Sequence, residues 1–184
     1  MTDWIDKAAN AYCKLLEVVL LLLLAAMVVM VFGNVVLRYA FNSGITVSEE
    51  LSRWAFVWMT FLGAIVAIKE GGHLGTDMLV GRLGRTGKMV CLGLAEALML
   101  YCCWLIYAGS LAQTRINLDV EAPVSGWSMG WVSGVGIVFA ISAALFHLLK
   151  LVRLLTGRLS DDELVTVQES EDLAQLKADA GEKA

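Results

Sequence analysis

Two carboxylates inside apolar segments are this sequence's candidates for a proton or cation site. Glu96 lies well inside a long apolar segment, and Glu17 lies near the boundary of another. Because a buried charge is costly in a membrane, such an acid is a candidate proton or cation site. Glu96 could equally be neutral, or be paired with Lys150 or His147. We favour a structural role, because no second carboxylate or broken helix accompanies Glu96.

Residue patterns typical of metal, haem or catalytic sites are sparse. His73 and Asp77 are four positions apart in a glycine-rich bend, but two ligands do not make a metal site. A hydrogen-bonded histidine and a helix-capping aspartate explain the pair better. His147 is the only other histidine, so a haem would lack a facing ligand. We therefore predict no cofactor, no metal, no catalytic or substrate-binding residue, and no enzyme.

Four long apolar segments must position these residues. Each is near the roughly 20 residues that a helix needs to satisfy its backbone groups within the hydrocarbon core. The sequence has 184 residues, of which 58% are hydrophobic. A soluble domain of this size could not bury so much apolar surface. We predict an all-α integral membrane protein whose transmembrane helices cover about 15–37, 51–68, 89–112 and 127–149.

Three regions and one orientation follow from these spans. Residues 1–14 are a cytoplasmic N-terminal segment, residues 15–149 are the four-helix membrane domain, and residues 150–184 are an acidic, partly disordered cytoplasmic tail. With both termini inside, nine basic residues lie near the inner ends of the spans and three near the outer ends. This bias predicts an N-in, C-in protein.

Pairs of small residues spaced four apart mark the faces where helices can meet. Two small side chains on one face let another backbone approach closely and gain dispersion contacts. These faces could join the four helices to each other or to another protein. The candidate pairs are Gly63 and Ala67, Gly93 and Ala97, and Gly130 and Gly134.

Charged and polar residues are densest between the first two spans. Ser48 could cap the second helix, Glu49 lies in its first turn, and Glu49 to Arg53 is a favourable i, i+4 pair. On one interpretation they form a helix cap with a weak surface ion pair. On the other, they belong to an outer charged cluster that receives a partner outside the membrane, together with acids of the last outer loop. We define this outer charged cluster as Arg38, Asn42, Glu49, Glu50 and Arg53.

The segment from Asn34 to Asp77 resembles the signature region of a known family. It reads NVVLRYAFNSGITVSEELSRWAFVWMTFLGAIVAIKEGGHLGTD. It is similar to the small, Q-type membrane subunit of tripartite ATP-independent periplasmic (TRAP) transporters, the DctQ-like family. The matching positions are Arg38, Tyr39, Phe41, Asn42, Glu49, Glu50, Trp58, the Phe-Leu-Gly-Ala at 61–64 that contains Gly63, and Gly71, His73 and Asp77.

This resemblance implies a transporter subunit of the bacterial inner membrane. In that family a large membrane subunit holds the substrate and sodium sites and moves in an elevator-like manner, while a periplasmic binding protein delivers an organic acid. The small subunit enlarges the fixed scaffold, so both proteins are implied partners, beside membrane lipid. The sequence itself shows no cluster of intramembrane polar groups and no inverted repeat. The alternative is a stand-alone four-helix antiporter that couples small-molecule export to protons at Glu17 or Glu96.

Overall fold

Four long helices account for most of the chain. The computed structural model describes residues 2–70 and 85–156. Each helix is long and apolar enough to cross a membrane, which confirms the predicted class of fold. Within the described residues, β pairing is limited to one isolated bridge between Glu121 and Ser128. The helices are α1 (Thr2–Phe41), α2 (Thr46–Lys69), α3 (Arg85–Asn117) and α4 (Gly130–Leu155).

The helices run beyond the spans that hydropathy predicts. Helix α1 has 40 residues, so at 1.5 Å of rise per residue it is about 60 Å long, twice the thickness of the hydrocarbon core. Hydropathy marks only the part of a helix that lies in lipid, because polar residues continue a helix without raising the apolar average. The first residues of the predicted cytoplasmic segment are therefore helical, from Thr2 onward. Only α4 starts later than expected, at Gly130.

The helices pack as a row whose order differs from their order in the chain. Helix α1 packs against α2, α2 against α4, and α4 against α3. A core cluster of buried apolar residues, Leu16 from α1 and Leu62, Ile65 and Val66 from α2, lies where the first three helices of this row meet. Helix α3 packs only on α4 among the described helices. Because α3 does not return to α1 or α2 within the described residues, the row does not close into a four-helix bundle.

A side-chain contact ties α1 directly to α4 as well. The Tyr12 hydroxyl lies 2.9 Å from the Ser142 hydroxyl, and the Tyr12 ring packs on Phe146 with centroids 6.5 Å apart. Outside such contacts, both sides of the row present large exposed side chains, including Leu22, Phe32 and Leu94. Apolar surface of this extent requires lipid or a protein partner to cover it.

The closest approach between helices lies at a glycine outside the predicted pairs. A methyl group on Gly136 of α4 would overlap the side chain of Ser110 on α3. At the start of α4, a methyl group on Gly130 would lie 3.2 Å from Leu118 Cδ2. These two glycines therefore let the α3–α4 pair come together, as close packing in membranes requires.

Of the other predicted small residues, some contact a neighbouring helix and others lie on faces that no described helix covers. A methyl group on Gly93 would make an ordinary contact, 3.5 Å from Leu154 Cδ2. At Gly63 and Gly134, a methyl group would meet no atom of the described chain within 4 Å, and Ala97 is exposed. Packing of Gly63, Gly134 and Ala97 against another protein stays a prediction.

Candidate functional site

Glu96 joins α3 to α4 through two contacts. Its Oε2 lies 2.7 Å from His147 Nδ1, and its Oε1 lies 3.0 Å from Lys150 Nζ. His147 and Lys150 are three positions apart on α4, so they share the face that turns toward α3. Glu96 and His147 are 4% and 5% exposed, whereas the Lys150 side chain is 35% exposed. The structure thus pairs Glu96 with both of the partners that the sequence offers.

This arrangement satisfies Glu96 within the chain. An ionised carboxylate accepts from the Lys150 ammonium and from a His147 Nδ1–H, one donor for each oxygen. Within residues 2–70 and 85–156, no three His, Cys, Asp or Glu side chains come together as metal ligands. A transport site for a cation needs several converging oxygens. The geometry therefore supports the structural interpretation of Glu96.

The second intramembrane acid is not part of this network. Glu17 is exposed on α1 and forms no ion pair with any described residue. A carboxylate of this kind can point along the helix toward the headgroups. Glu17 and Glu96 therefore do not converge on one site.

Glu50, at the outer end by the predicted orientation, holds the loop between α3 and α4. It is only 4% exposed. Its carboxylate accepts from the backbone N–H of Val124 at 3.1 Å and of Ser125 at 3.2 Å, and also from the Ser125 hydroxyl. Unlike Arg38 and Arg53, Glu50 is therefore not an exposed member of the outer charged cluster. Its buried carboxylate is a clamp on the loop.

The loop that Glu50 holds is itself folded. The Ala122 N–H donates to the Trp127 carbonyl at 2.7 Å, and the Met129 N–H donates to the Val120 carbonyl at 2.8 Å. Gly126 has φ +69°, a left-handed conformation that glycine adopts without steric cost. Glu50 thus fixes a formed turn against the N-terminal end of α2.

Asn34 organises the turn between α1 and α2. Its Nδ2 donates to Glu49 Oε1 at 3.0 Å, and its Oδ1 accepts from the Ile45 N–H at 2.7 Å. Asn34 is 8% exposed, and both ends of its amide are satisfied. At the turn itself, Asn42 has φ +49°, a region in which asparagine is favoured among residues other than glycine. Two asparagines therefore explain the shape of this turn.

Two contacts predicted for the start of α2 are wrong. The helix begins at Thr46, with Ile45 at the cap position and no side-chain cap. The Ser48 hydroxyl instead donates to the Met30 carbonyl of α1 at 2.7 Å. Glu49 and Arg53 form no ion pair in the described structure, because Glu49 is turned toward Asn34. Tertiary contacts between α1 and α2 override the local preferences here.

Trp58 links α2 to α4. Its indole N–H donates to the Trp131 carbonyl at 3.1 Å, and one turn away the Trp54 and Trp127 rings lie 6.4 Å apart. The four tryptophans line an apolar groove of about 680 Å³. Indoles favour the headgroup level of a membrane, where the ring is buried and the N–H finds a partner.

The motif residues therefore separate into two groups. Asn42, Glu49, Glu50 and Trp58 make or shape contacts within the chain, whereas Arg38 and Arg53 are exposed. His73 and Asp77 lie outside the described residues. Sequence analysis missed the roles of Ser125 and Ser128, since a serine in a loop carries no distinctive pattern. Ser128 donates from its hydroxyl to the carbonyls of Asn117 and Leu118, which closes the end of α3.

Comparisons with known proteins give a consistent family. Residues 27–157 match the family described as "Tripartite ATP-independent periplasmic transporters, DctQ component". A Haemophilus influenzae protein named as a TRAP transporter small permease protein is 39% identical over 139 residues, which cover 76% of this chain and 86% of the relative. The sialic acid TRAP transporter small permease protein SiaQ of Vibrio cholerae serotype O1 is 25% identical over 158 residues, covering 84% of this chain and 91% of SiaQ.

A third relative matches over a shorter stretch. The C4-dicarboxylate TRAP transporter small permease protein DctQ of Vibrio cholerae serotype O1 is 30% identical over 78 residues. That stretch covers 42% of this chain and 34% of the relative. The three relatives carry names of small permease proteins of the same transporter class.

Proposed function

The chain belongs to the DctQ component family of tripartite ATP-independent periplasmic transporters, and we propose that it acts as the fixed scaffold of such a transporter. It is a multi-pass protein of the bacterial inner membrane. In this proposal a large membrane subunit carries the substrate and a coupling ion, most simply sodium, past the row of four helices. A periplasmic binding protein delivers the substrate, an organic acid.

The open row of helices is the observation that carries this proposal. A chain that transports alone needs a central site enclosed by its helices, with converging polar groups near the bilayer midplane. In the described residues, α3 contacts neither α1 nor α2, so no such centre is enclosed. The buried acid that an antiporter would use, Glu96, is engaged by His147 and Lys150. These features favour a supporting subunit over the antiporter alternative.

Uncovered small residues and aromatic surface are available for the large subunit. A methyl group added at Gly63 on α2 or Gly134 on α4 would meet no atom of the described chain within 4 Å, so another helix could approach them closely. The tryptophan groove opens between the same two helices. We propose that the large subunit packs against these open positions of α2 and α4. Arg53 is exposed, and we propose that it contacts a protein outside the membrane.

We propose that both termini lie on the cytoplasmic side, because basic residues predominate at the helix ends that this orientation places inside. Ser43 follows α1 and Thr156 follows α4, and both are exposed. In the proposed topology these two helix ends lie on opposite faces of the membrane. In a variant with its four cysteines replaced by alanine, a cysteine at Ser43 should react with an impermeant maleimide in spheroplasts. A cysteine at Thr156 should react only after lysis. The reverse pattern would invert the orientation.

Reconstitution of the purified complex tests the proposed function. The chain is co-expressed with a large membrane subunit of the same transporter class, and a tag on this chain should retain that subunit through purification. Liposomes are then supplied with a sodium gradient, the binding protein and labelled acids. A C4-dicarboxylate and sialic acid begin the panel, because relatives carry those substrates in their names. Liposomes with the large subunit alone and with this chain alone are the controls.

A further inference from the structure

We propose that the cleft between the outer ends of α1 and α2 binds one phospholipid by its headgroup, and that the headgroup is phosphoethanolamine. The cleft has a volume of about 320 Å³. It could hold about ten water molecules at their liquid volume, which is ample room for a small headgroup. This inference does not depend on the proposed scaffold function. The lining residues are Val31, Asn34, Val35, Arg38, Tyr39 and Glu49.

An arginine and a glutamate share this cleft without pairing. Arg38 and Glu49 both line it, yet they form no ion pair, and neither pairs with another described residue. Asn34 holds Glu49 by Oε1 at 3.0 Å, which leaves Oε2 without a bond from the described chain. A cation and an anion held apart in one cleft match a ligand that carries both charges. The Arg38 guanidinium suits a phosphate, and Glu49 suits an ammonium.

Asn34 makes this cleft a formed site rather than two chance surface charges. Its amide is bonded at both ends, to Glu49 and to the Ile45 N–H, and it is 8% exposed. The position of the carboxylate is therefore fixed by a buried residue before any ligand arrives. Such pre-organisation reduces the entropic cost of binding.

An apolar stripe continues from the cleft along the same face of α1. Leu24, Val28, Val31 and Val35 are spaced by four, three and four residues, and they are 43% to 55% exposed. This spacing puts them in line with Arg38 on one face of a helix. One leaflet is about 15 Å deep, which corresponds to about ten residues of helix, from Arg38 down to Val28. An acyl chain attached to a headgroup in the cleft would lie along this stripe.

The apolar stripe favours a lipid over a protein side chain as the occupant of the cleft. The cleft carries charges at the headgroup level, and an apolar stripe as long as one leaflet lies beneath it. A phospholipid has the same arrangement, with a charged headgroup above apolar acyl chains. Charged pockets between transmembrane helices are known to bind lipid headgroups, as basic pockets do for anionic lipids. Among lipids, a primary ammonium can donate hydrogen bonds to Glu49. The choline trimethylammonium cannot donate them, and phosphatidylglycerol offers no cation to Glu49.

Native mass spectrometry of the full-length chain tests this site. The protein is delipidated in detergent and titrated with phosphatidylethanolamine, phosphatidylcholine and phosphatidylglycerol of equal chain length. We expect phosphatidylethanolamine to bind about tenfold tighter than the other two, because one charge-assisted hydrogen bond separates them. Free phosphoethanolamine should not compete, since it lacks the acyl chain. Competition by the free headgroup, or equal binding of the three lipids, would overturn the proposal.

Substitutions within the cleft assign the two charges. Arg38→Gln should weaken phosphatidylethanolamine binding about tenfold or more. Glu49→Gln can still accept from Asn34, so it should keep phosphatidylcholine binding and lose only the preference for ethanolamine. Val31→Trp fills the cleft without changing its charge, so it should weaken the binding of all three lipids. Arg53→Gln, an exposed arginine outside the cleft, is the matched control and should change nothing.

Folding and assembly must be separated from binding in these variants. Circular dichroism and thermal unfolding of each variant should match the wild type, because the substituted side chains are exposed. The same titration is repeated on the complex with the large subunit. Retention of the lipid preference supports a lipid site. Loss of the bound lipid on assembly would instead assign the cleft to a protein partner. A lipid affinity that Arg38→Gln leaves unchanged would place the bound lipid outside the cleft and overturn the proposal.

Discussion

Replacing Glu96 with alanine is expected to lower the free energy of unfolding by about 3 kcal/mol. The substitution removes the shared acceptor of His147 and Lys150, whose nitrogens lie 2.7 and 3.0 Å from the carboxylate. Both side chains then lose a bond to an acid in apolar surroundings, which is costly. The loss lies at the low end for broken buried pairs, because Lys150 is 35% exposed and can turn toward the headgroups. Unfolding in detergent, followed by tryptophan fluorescence, measures the change.

Glu17→Ala is the matched control for Glu96. Glu17 is also an acid in a transmembrane helix, but it is exposed and unpaired among the described residues. Its loss should change the free energy of unfolding by less than about 0.5 kcal/mol. Equal effects of the two substitutions would contradict the account of the α3–α4 network. So would a stabilising effect of Glu96→Ala.

The isosteric variant Glu96→Gln separates a structural role from a transport role. It keeps the size of the side chain and removes its charge, so it should weaken the contact with Lys150. If Glu96 is structural, the assembled complex carrying Glu96→Gln still takes up substrate and is merely less stable. A complex of normal stability that has lost all uptake would make Glu96 a proton or cation site.

Replacing Glu50 with alanine is expected to release the loop between α3 and α4. Glu50 is the acceptor for the Val124 and Ser125 backbone N–H groups and for the Ser125 hydroxyl. Without it, those amides lose a charge-assisted bond, and their hydrogen exchange should accelerate roughly 10- to 100-fold. The rest of the loop should be affected less, because its internal bonds from Ala122 and Met129 remain. Hydrogen–deuterium exchange of the purified chain measures both effects.

Two neighbouring substitutions sharpen the Glu50 experiment. Glu49→Ala removes a carboxylate one position away that bonds to Asn34 instead, so exchange at residues 124 and 125 should stay at the wild-type rate. Glu50→Gln places an amide NH₂ against N–H donors, and it should fail to restore protection fully. Wild-type protection in Glu50→Ala would show that the loop holds its position without the clamp.

Hydropathy was sufficient to find the four helices, but it could not find how they pack. The apolar segments are unmistakable because a helix in lipid must satisfy its own backbone over its whole length. Hydropathy does not determine the order of the helices in the row. Helices α1 and α4 are both apolar on several sides, so they could have packed in other ways. The close approach at Gly136 shows the difficulty. Its partner Ser110 has no spacing or repeat that sets it apart from other small residues.

The charged residues show the same division between local and tertiary information. Glu96 could be matched with His147 and Lys150 in advance, because few polar residues share its depth in the membrane. Glu50 could not be matched with Ser125, which is 75 positions away in a loop whose shape depends on Gly126. Its place in the outer charged cluster, beside Glu49, suggested an exposed side chain. Only the folded loop reveals that the carboxylate is buried.

Uptake by proteoliposomes containing this chain, the large subunit, or both tests the assignment as a scaffold subunit. We expect sodium-driven uptake, in the presence of the binding protein, only when both subunits are present. Liposomes with this chain alone should match empty liposomes, since the described helices enclose no polar site. Substrate or proton flux through this chain alone, at a rate comparable to that of the complex, would contradict its assignment as a scaffold subunit.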